Sequence, residues 1–519
     1  MSAFIDFKNK ISQGILSFLG TTFLEKKLNN WFGYIFLGII SAGFGYLIAR
    51  HFELGLGLFG AILGLLVVVV CISSAQTGLY IIVAFAFFAS FMANFSSYFL
   101  KTELPIGLAF DVLVFATFLG LVIKRSDFGQ NFNEFTKSLL VIFIFFTLIF
   151  SALQFVNPNS QSIDTNILAL RKFTGYVFVM FIAYTVLDSY EKVMKFFRVL
   201  FIISVICALY GCKQKMLGFF SYELEVLMRD PIGWGLVFNW GDVRISSTMS
   251  DPAAFGVVTA VCAVIFLILG IGEKKTGKKV NIFIGCIILI TGMGYSGTRT
   301  AYAVFIAGLA FFVLLNFEKK STRIFAIIGA ALLLFILYAP IYGNSTIQRF
   351  RTTFNGSEDQ SFKVRNESRA FIQPYIRSHP IGGGLGTTGF EGARKHPGHP
   401  LAMFQTDGGY VRRAAETGWT GLLEICILYF IALYTGIRGY FRAKDDKIKL
   451  LYAACVSCLF AFYIAEFAQS ALGQITDSVV YYPILGLILR LKTLDSTYSS
   501  EKKTEETEAL SESRQNNYS

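Results

Sequence analysis

Apolar residues in this chain run together for the length of a helix, again and again, with short polar interruptions between the runs. A run of roughly 20 apolar residues is long enough to cross a bilayer as a helix. In hydrocarbon, only helices and closed barrels satisfy their own backbone hydrogen bonds, and runs of this length suit helices. The pattern therefore predicts an all-α polytopic membrane protein with about 14 transmembrane helices. Their centres fall near residues 41, 63, 87, 114, 147, 178, 203, 262, 288, 308, 333, 430, 459 and 485. Residues 1–30 form an amphipathic, lysine-bearing segment expected to lie on the cytoplasmic surface, and residues 31–343 carry spans 1–11. Residues 344–418 are the one long polar interval, residues 419–493 carry spans 12–14, and residues 494–519 form a polar tail expected to be disordered.

Composition sharpens the class. Only 15% of the residues are charged, against about 25% in soluble domains, which makes this a membrane protein. The net charge of +12 does not point to nucleic acid, because the cations sit in short clusters between apolar runs. Lys8, Lys10, Lys26 and Lys27 precede the first span, and further clusters follow at Lys124 and Arg125, at Lys192 and Lys195, at 274–279, at Lys319 and Lys320, and at 442–449. They occupy alternate connections, so the positive-inside rule puts them in the cytoplasm with both termini, and puts the 344–418 loop outside. The cysteines all lie in or beside apolar runs; Cys455 and Cys458 form a CxxC with no second ligand pair and read as packing.

That orientation makes the outward cations informative. Arg171, Arg244 and Arg299 sit where a translocated segment should carry few cations, and outward basic residues are mostly arginine where cytoplasmic ones are mostly lysine. A planar guanidinium grips phosphate or carboxylate in two directions; snorkelling to lipid headgroups is the alternative for Arg171 and Arg299. Inside the loop, residues 360–379 place Arg365 and Arg369 one turn apart on a helix that Pro374 would kink. His379, Pro380 and IGGGLG then break the helix, and the amides of Gly383 and Gly384 either approach an anion or simply form a hinge. His396 and His399 flank a proline-containing turn that argues against a metal pair, leaving a solvated imidazole or a general base. Asp407 is placed to cap a helix carrying Tyr410, Arg412, Arg413 and Glu416, with Arg412 and Glu416 spaced as an ion pair.

Four stretches in this order, RISSTMSDPAAFG (244–256), YSGTRTA (295–301), an arginine-bearing helix ending in HPIGGGLG (369–386) and DGGYVRRAAETGWTG (407–421), resemble the bacterial O-antigen ligase and polymerase superfamily of envelope glycosyltransferases. The resemblance implies a fold like the C-type glycosyltransferases, a large periplasmic loop, the inner membrane, and an undecaprenyl-diphosphate-linked oligosaccharide as donor. It implies no cofactor, nucleotide sugar or metal; membrane lipid and a chain-length regulator protein are the further partners it suggests. On this reading Arg299 and Arg369, with His399 and His396, are the catalytic candidates. Arg244, Arg299, Arg365, Arg369 and Arg171 hold the diphosphate, and Gly383, Gly384, Asp407, Tyr410, Arg412 and Glu416 support the site. The DGGY element resembles the polymerase members, so a polysaccharide polymerase is expected, with a ligase to lipid A core or protein as the alternative. A lipid-linked oligosaccharide flippase is the alternative of another class, although no matching half-repeat is visible. The loop histidines and Arg369 are expected to meet Arg299 and Arg244 at the surface of the bundle.

Overall fold

A computed structural model describes residues 30–160, 163–229, 234–235, 237–239, 242–340, 345–353, 360–406 and 408–516. The expected amphipathic segment up to residue 29, and Asp407, lie outside the described residues. The chain is built from helices: α1 (Trp31–Arg50), α2 (Phe52–Ser73), α3 (Ala75–Phe99), α4 (Ile106–Lys124), α5 (Phe128–Thr136), α6 (Leu139–Leu153), α7 (Ile163–Val186), α8 (Tyr190–Leu217) and α9 (Ser221–Met228). A two-residue ribbon, β1 (Phe238–Asn239) with β2 (Asp242–Val243), leads into α10 (Pro252–Gly272), α11 (Thr276–Tyr295), α12 (Arg299–Leu315) and α13 (Lys320–Tyr338). The polar interval folds as α14 (Ser345–Thr352), α15 (Gln360–Ser378) and α16 (Gly389–Lys395). It is followed by α17 (Gly409–Arg442), α18 (Asp446–Ala468) and α19 (Ile475–Asn516).

Each sequence-derived span centre falls inside one of these helices. Among the described residues, 12 helices are long and apolar enough to cross a membrane, and α12 is a shorter apolar helix. The protein is thus an all-α, multi-pass membrane protein. The last helix differs from expectation: α19 continues to Asn516 through the polar tail. Beyond Gly486 its sequence contains no glycine or proline, and its glutamate, lysine and leucine content favours the helical state.

The chain divides into two compact units. One comprises Met1–Phe85 and Phe91–Glu134; in it the helix carrying Ile72 lies so close to α4 that Gly120 could not be replaced without meeting the Ile72 carbonyl. The other comprises Ala86–Ser90 and Phe135–Ser519 and contains every candidate site residue. At its centre stand α10 and α18. α10 is apolar on all sides, and nearly all of it is buried, as expected for a helix with no outward face. It starts sharply because Asp251 accepts hydrogen bonds from the amides of Ala253 and Ala254 at 2.8 and 2.9 Å, with Pro252 in the first turn. α18 offers small residues, Ala453, Ala454, Cys455, Ser457, Cys458 and Ala461, so that neighbours approach closely; Gly308 of α12 sits against Ala461 and Gly436 of α17 against Val456. The CxxC cysteines are free thiols within this packing, as their surroundings predicted.

Within this unit, α17 is broken. Gly418 adopts φ +73°, ψ −179°, dividing the helix into an outer piece and a long apolar piece. The break exposes carbonyls that a continuous helix would have used, and the glycine-rich turn supplies their donors: Gly383 N–H bonds to the Ala415 carbonyl at 3.0 Å and Gly384 N–H to that of Glu416 at 2.8 Å. Returning the contact, the Thr420 hydroxyl donates to the Pro380 carbonyl at 2.8 Å. The turn is fixed from its other side by Asn157, whose amide donates to the Ile381 and Gly382 carbonyls, and by Asn166, which accepts from Leu385 N–H at 3.1 Å. A side chain at Gly418 would collide with the Pro380 carbonyl, and its positive φ would strain any residue with a Cβ. We expect Gly418→Ala to lower stability by about 2 kcal/mol or more in thermal unfolding of the solubilised protein. Gly398→Ala, at a position with open space around it, should leave stability near wild type.

Candidate active site

The turn between α11 and α12 gathers arginines. α11 ends at Tyr295, and its last carbonyls point at the next segment with the partial negative charge of a helix C-terminus. Arg244 answers them, donating through Nε to the Ser296 carbonyl at 3.3 Å and through Nη2 to the Thr298 hydroxyl at 2.9 Å. Arg349 of α14 donates to the Gly297 carbonyl at 3.4 Å. Gly297 is required twice over: its φ is +60°, and a Cβ would strike the Arg349 guanidinium. Arg299 then opens α12 within electrostatic reach of Arg349 and of Arg365 from α15. Burial, followed by the charge of Arg349, pushes the Arg244 guanidinium below its ordinary proton affinity; Asp251 opposes this and Arg299 reinforces it. Four cations from four segments thus share one region and repel one another.

Arg244 is presented by a strained arm. Ser247 holds φ +56°, the left-handed region that a residue with a Cβ rarely takes. Its N–H donates to Gln214 Oε1 at 2.9 Å and its hydroxyl to the Cys207 carbonyl at 2.6 Å. Gln214 is held in turn by Glu223, which also accepts from the Tyr210 hydroxyl at 2.8 Å and from Phe220 N–H at 2.7 Å.

Arg369, one turn beyond Arg365, reaches the end of α18: it donates to the Phe467 carbonyl at 3.0 Å and lies over the Phe467 ring at 4.4 Å. The adjacent residue, Glu466, faces the other way into a cavity of about 310 Å³ between α6, α7, α17 and α19. Arg412 and Arg413 of the outer piece of α17 reach its wall, the first paired with Glu416 at 3.0 Å and the second with Glu424 at 2.9 Å. Tyr410 donates to the Tyr463 carbonyl at 3.1 Å, fixing the start of the same piece.

Residues 284–426 match the family model described as O-Antigen ligase. That segment is therefore similar to the O-antigen ligase and polymerase superfamily. No curated protein matches the chain. The family domain spans Arg299, Arg349, Arg365, Arg369, the glycine turn and the break in α17, whereas Arg244 and the cavity walls on α7 and α19 lie outside it.

The structure sorts the sequence-derived candidates. Arg244, Arg299 and Arg365 come together, Arg369 stands beside them at the end of α18, and Arg171 is carried by α7 next to Lys172 of the cavity wall. Gly383 and Gly384 spend their amides on α17 rather than on an anion, because the helix break needs two donors. The histidines belong to the same clasp. His399 is buried, donates through Nε2 to the Asn159 carbonyl at 3.1 Å and accepts at Nδ1 from Leu401 N–H at 3.1 Å, so both ring nitrogens serve the backbone. His396 is buried with Nε2 3.5 Å from the Thr165 hydroxyl. Arg349 went unselected in the sequence, although RFR in the same polar interval carried the same signal as Arg365 and Arg369. The cavity was missed because its residues are scattered through spans; the one local hint is the i,i+4 spacing of Lys172 and Tyr176 in α7.

Two stability effects follow. Gln214→Leu should destabilise the protein by roughly 1–3 kcal/mol by orphaning the buried polar groups around it. Adding Ser247→Gly should recover part of that loss in thermal unfolding, because glycine takes the same φ without strain. His399 sits below its ordinary pKa, chiefly through burial and further through His396 and His379, while the nearby backbone at Asn159 and Gly383 opposes the shift. The unfolded chain therefore binds more protons than the folded one just below the ordinary histidine value, and stability rises with pH there. The melting temperature should fall as pH drops from about 7 to about 5, and His399→Gln should flatten that dependence.

Proposed function

We propose that this protein is a polysaccharide polymerase that transfers a growing glycan from a lipid diphosphate to the end of a new lipid-linked repeat, on the outer face of a bacterial inner membrane. The family domain supports glycosyl transfer of the ligase and polymerase kind. The observation that carries the finer reading is the arginine cluster itself. Like charges held together lower one another's proton affinity, and a bound dianion or trianion reverses that repulsion. Helix order supports the outward placement: α10 and α12 begin at the cluster and end at lysine-bearing connections, while α11 runs the opposite way.

In the reaction, an acceptor hydroxyl oxygen bonds to the anomeric carbon as the bond from that carbon to the diphosphate oxygen breaks. The electron pair leaves with the diphosphate, where Arg299, Arg365, Arg244 and Arg349 meet the growing charge. The hydroxyl proton ends on the diphosphate product, directly or through water, and offsets part of the negative charge that bond breaking puts there. No side-chain base is required on this path, consistent with the backbone bonds that occupy both nitrogens of His399. A ligase reading is favoured by the description of the family model alone and differs only in the acceptor.

Purified protein in vesicles containing only lipid-diphosphate-linked repeats should lengthen them without nucleotide sugar. Repeats that cross between leaflets but never lengthen would establish a transporter, and lengthening or transfer only after lipid A core is added would establish a ligase. Arg299→Lys keeps the charge but not the planar fork, and we expect a loss of about 100-fold or more in elongation at normal protein level; unchanged polymer would remove Arg299 from the site.

A further inference from the structure

The cavity beside the arginine cluster differs from it in chemistry. The cluster is cationic, whereas the cavity pairs its charges: Arg412 with Glu416, which also accepts from the Thr388 hydroxyl at 2.6 Å, and Arg413 with Glu424. Fixed ion pairs present donors and acceptors side by side, as the adjacent hydroxyls of a sugar require, without the excess positive charge that a diphosphate needs. Rings complete the wall: Tyr176 and Tyr482 lie stacked with centroids 5.3 Å apart, and both line the cavity with Lys172. Aromatic faces with a polar tip suit the apolar C–H face of a pyranose. The volume of about 310 Å³ lies at the small end of the ~300–1,000 Å³ range of ligand pockets, which fits the end of a glycan rather than a folded chain of it.

Position ties the two compartments together. Glu466 lines the cavity, and the next residue, Phe467, holds Arg369 of α15 through its carbonyl and its ring. The cavity and α15, the helix that carries Arg365 and Arg369, therefore meet across the end of one helix. We propose that this cavity is the acceptor-sugar site, in which Lys172, Arg412 and Glu416 bond the hydroxyls of the terminal sugar and Tyr176 and Tyr482 form its stacking wall. The assignment rests on the reading of the protein as a glycosyltransferase, but sugar binding is measurable without turnover.

The test uses the full chain and, as probe, the free repeat-unit oligosaccharide released from its lipid by mild acid. Saturation-transfer NMR should show the oligosaccharide binding to wild type. Lys172→Gln, which removes a charge with little change of volume, and Tyr482→Leu, which removes the stacking ring, should each weaken that binding about tenfold. In the vesicle assay they should raise the acceptor KM by a similar factor and leave the donor KM unchanged. Binding and acceptor KM at wild-type values in both variants would overturn the assignment while leaving transfer intact, as would a change confined to the donor KM. Oligosaccharide binding that is lost in the variants, in a protein that transfers nothing, would uphold the cavity as a sugar site and overturn the transferase reading instead.

Discussion

The interaction on which the site depends is the exchange of backbone hydrogen bonds between the glycine turn and the broken helix α17. A helix that stops at Gly418 and resumes leaves carbonyls exposed beside apolar surroundings, where each would cost on the order of 1–3 kcal/mol. Gly383 and Gly384 remove that cost, and the turn reaches α17 by passing Gly382 against Glu416 and Gly418, where a Cβ would collide. Because the outer piece of α17 is held this way, Arg412, Arg413 and Glu416 project at a fixed angle to the cavity instead of continuing the line of a membrane helix. Asn157, Asn166 and His399 tie the same turn to α7 and the segment before it, so the cavity roof and one of its walls are a single bonded structure.

Around this clasp the bundle uses close packing of small residues in place of a hydrophobic driving force, which the bilayer does not supply. α10 and α18 form its axis, and the ends of both are where the polar chemistry begins: Asp251 at the start of α10, Glu466 and Phe467 at the close of α18. The candidate site is thus made at helix ends that the packing already aligns. Its side chains come from several short segments and helix ends, and the directions of Arg244, Arg349 and Arg369 are set by carbonyls of the bundle.

Much of this was legible in the sequence, for physical reasons that differ by element. Each span centre could be placed inside a helix because a bilayer imposes one length and one polarity on a span, and no tertiary knowledge is needed to see either. Arg244, Arg299 and Arg365 could be selected because they are arginines set apart from the lysine-rich clusters between spans. The role of the glycines could not be read, since IGGGLG looks the same whether its amides meet phosphate or a neighbouring carbonyl; the choice is made by Gly418, some thirty residues on. His399 drew attention as a titratable group in a polar loop, yet the partners that occupy it, Asn159 and Leu401, are set by the fold. The cavity could not be assembled at all from one dimension, because Lys172, Arg412 and Tyr482 are brought together only by the packing of α7, α17 and α19.

The bonds that orient Arg244 and Arg349 on the end of α11 run to uncharged oxygens, those of Ser296, Gly297 and Thr298. An anchor of that kind fixes a guanidinium in direction without cancelling its charge, as a carboxylate would. It also responds to salt differently from the field it supports. Mobile ions screen attraction beyond about 8–10 Å at ordinary ionic strength, but they do little to a short, partly buried hydrogen bond. The range of the cluster's field is therefore set by the surrounding electrolyte, while the arrangement of the guanidiniums that make it is not.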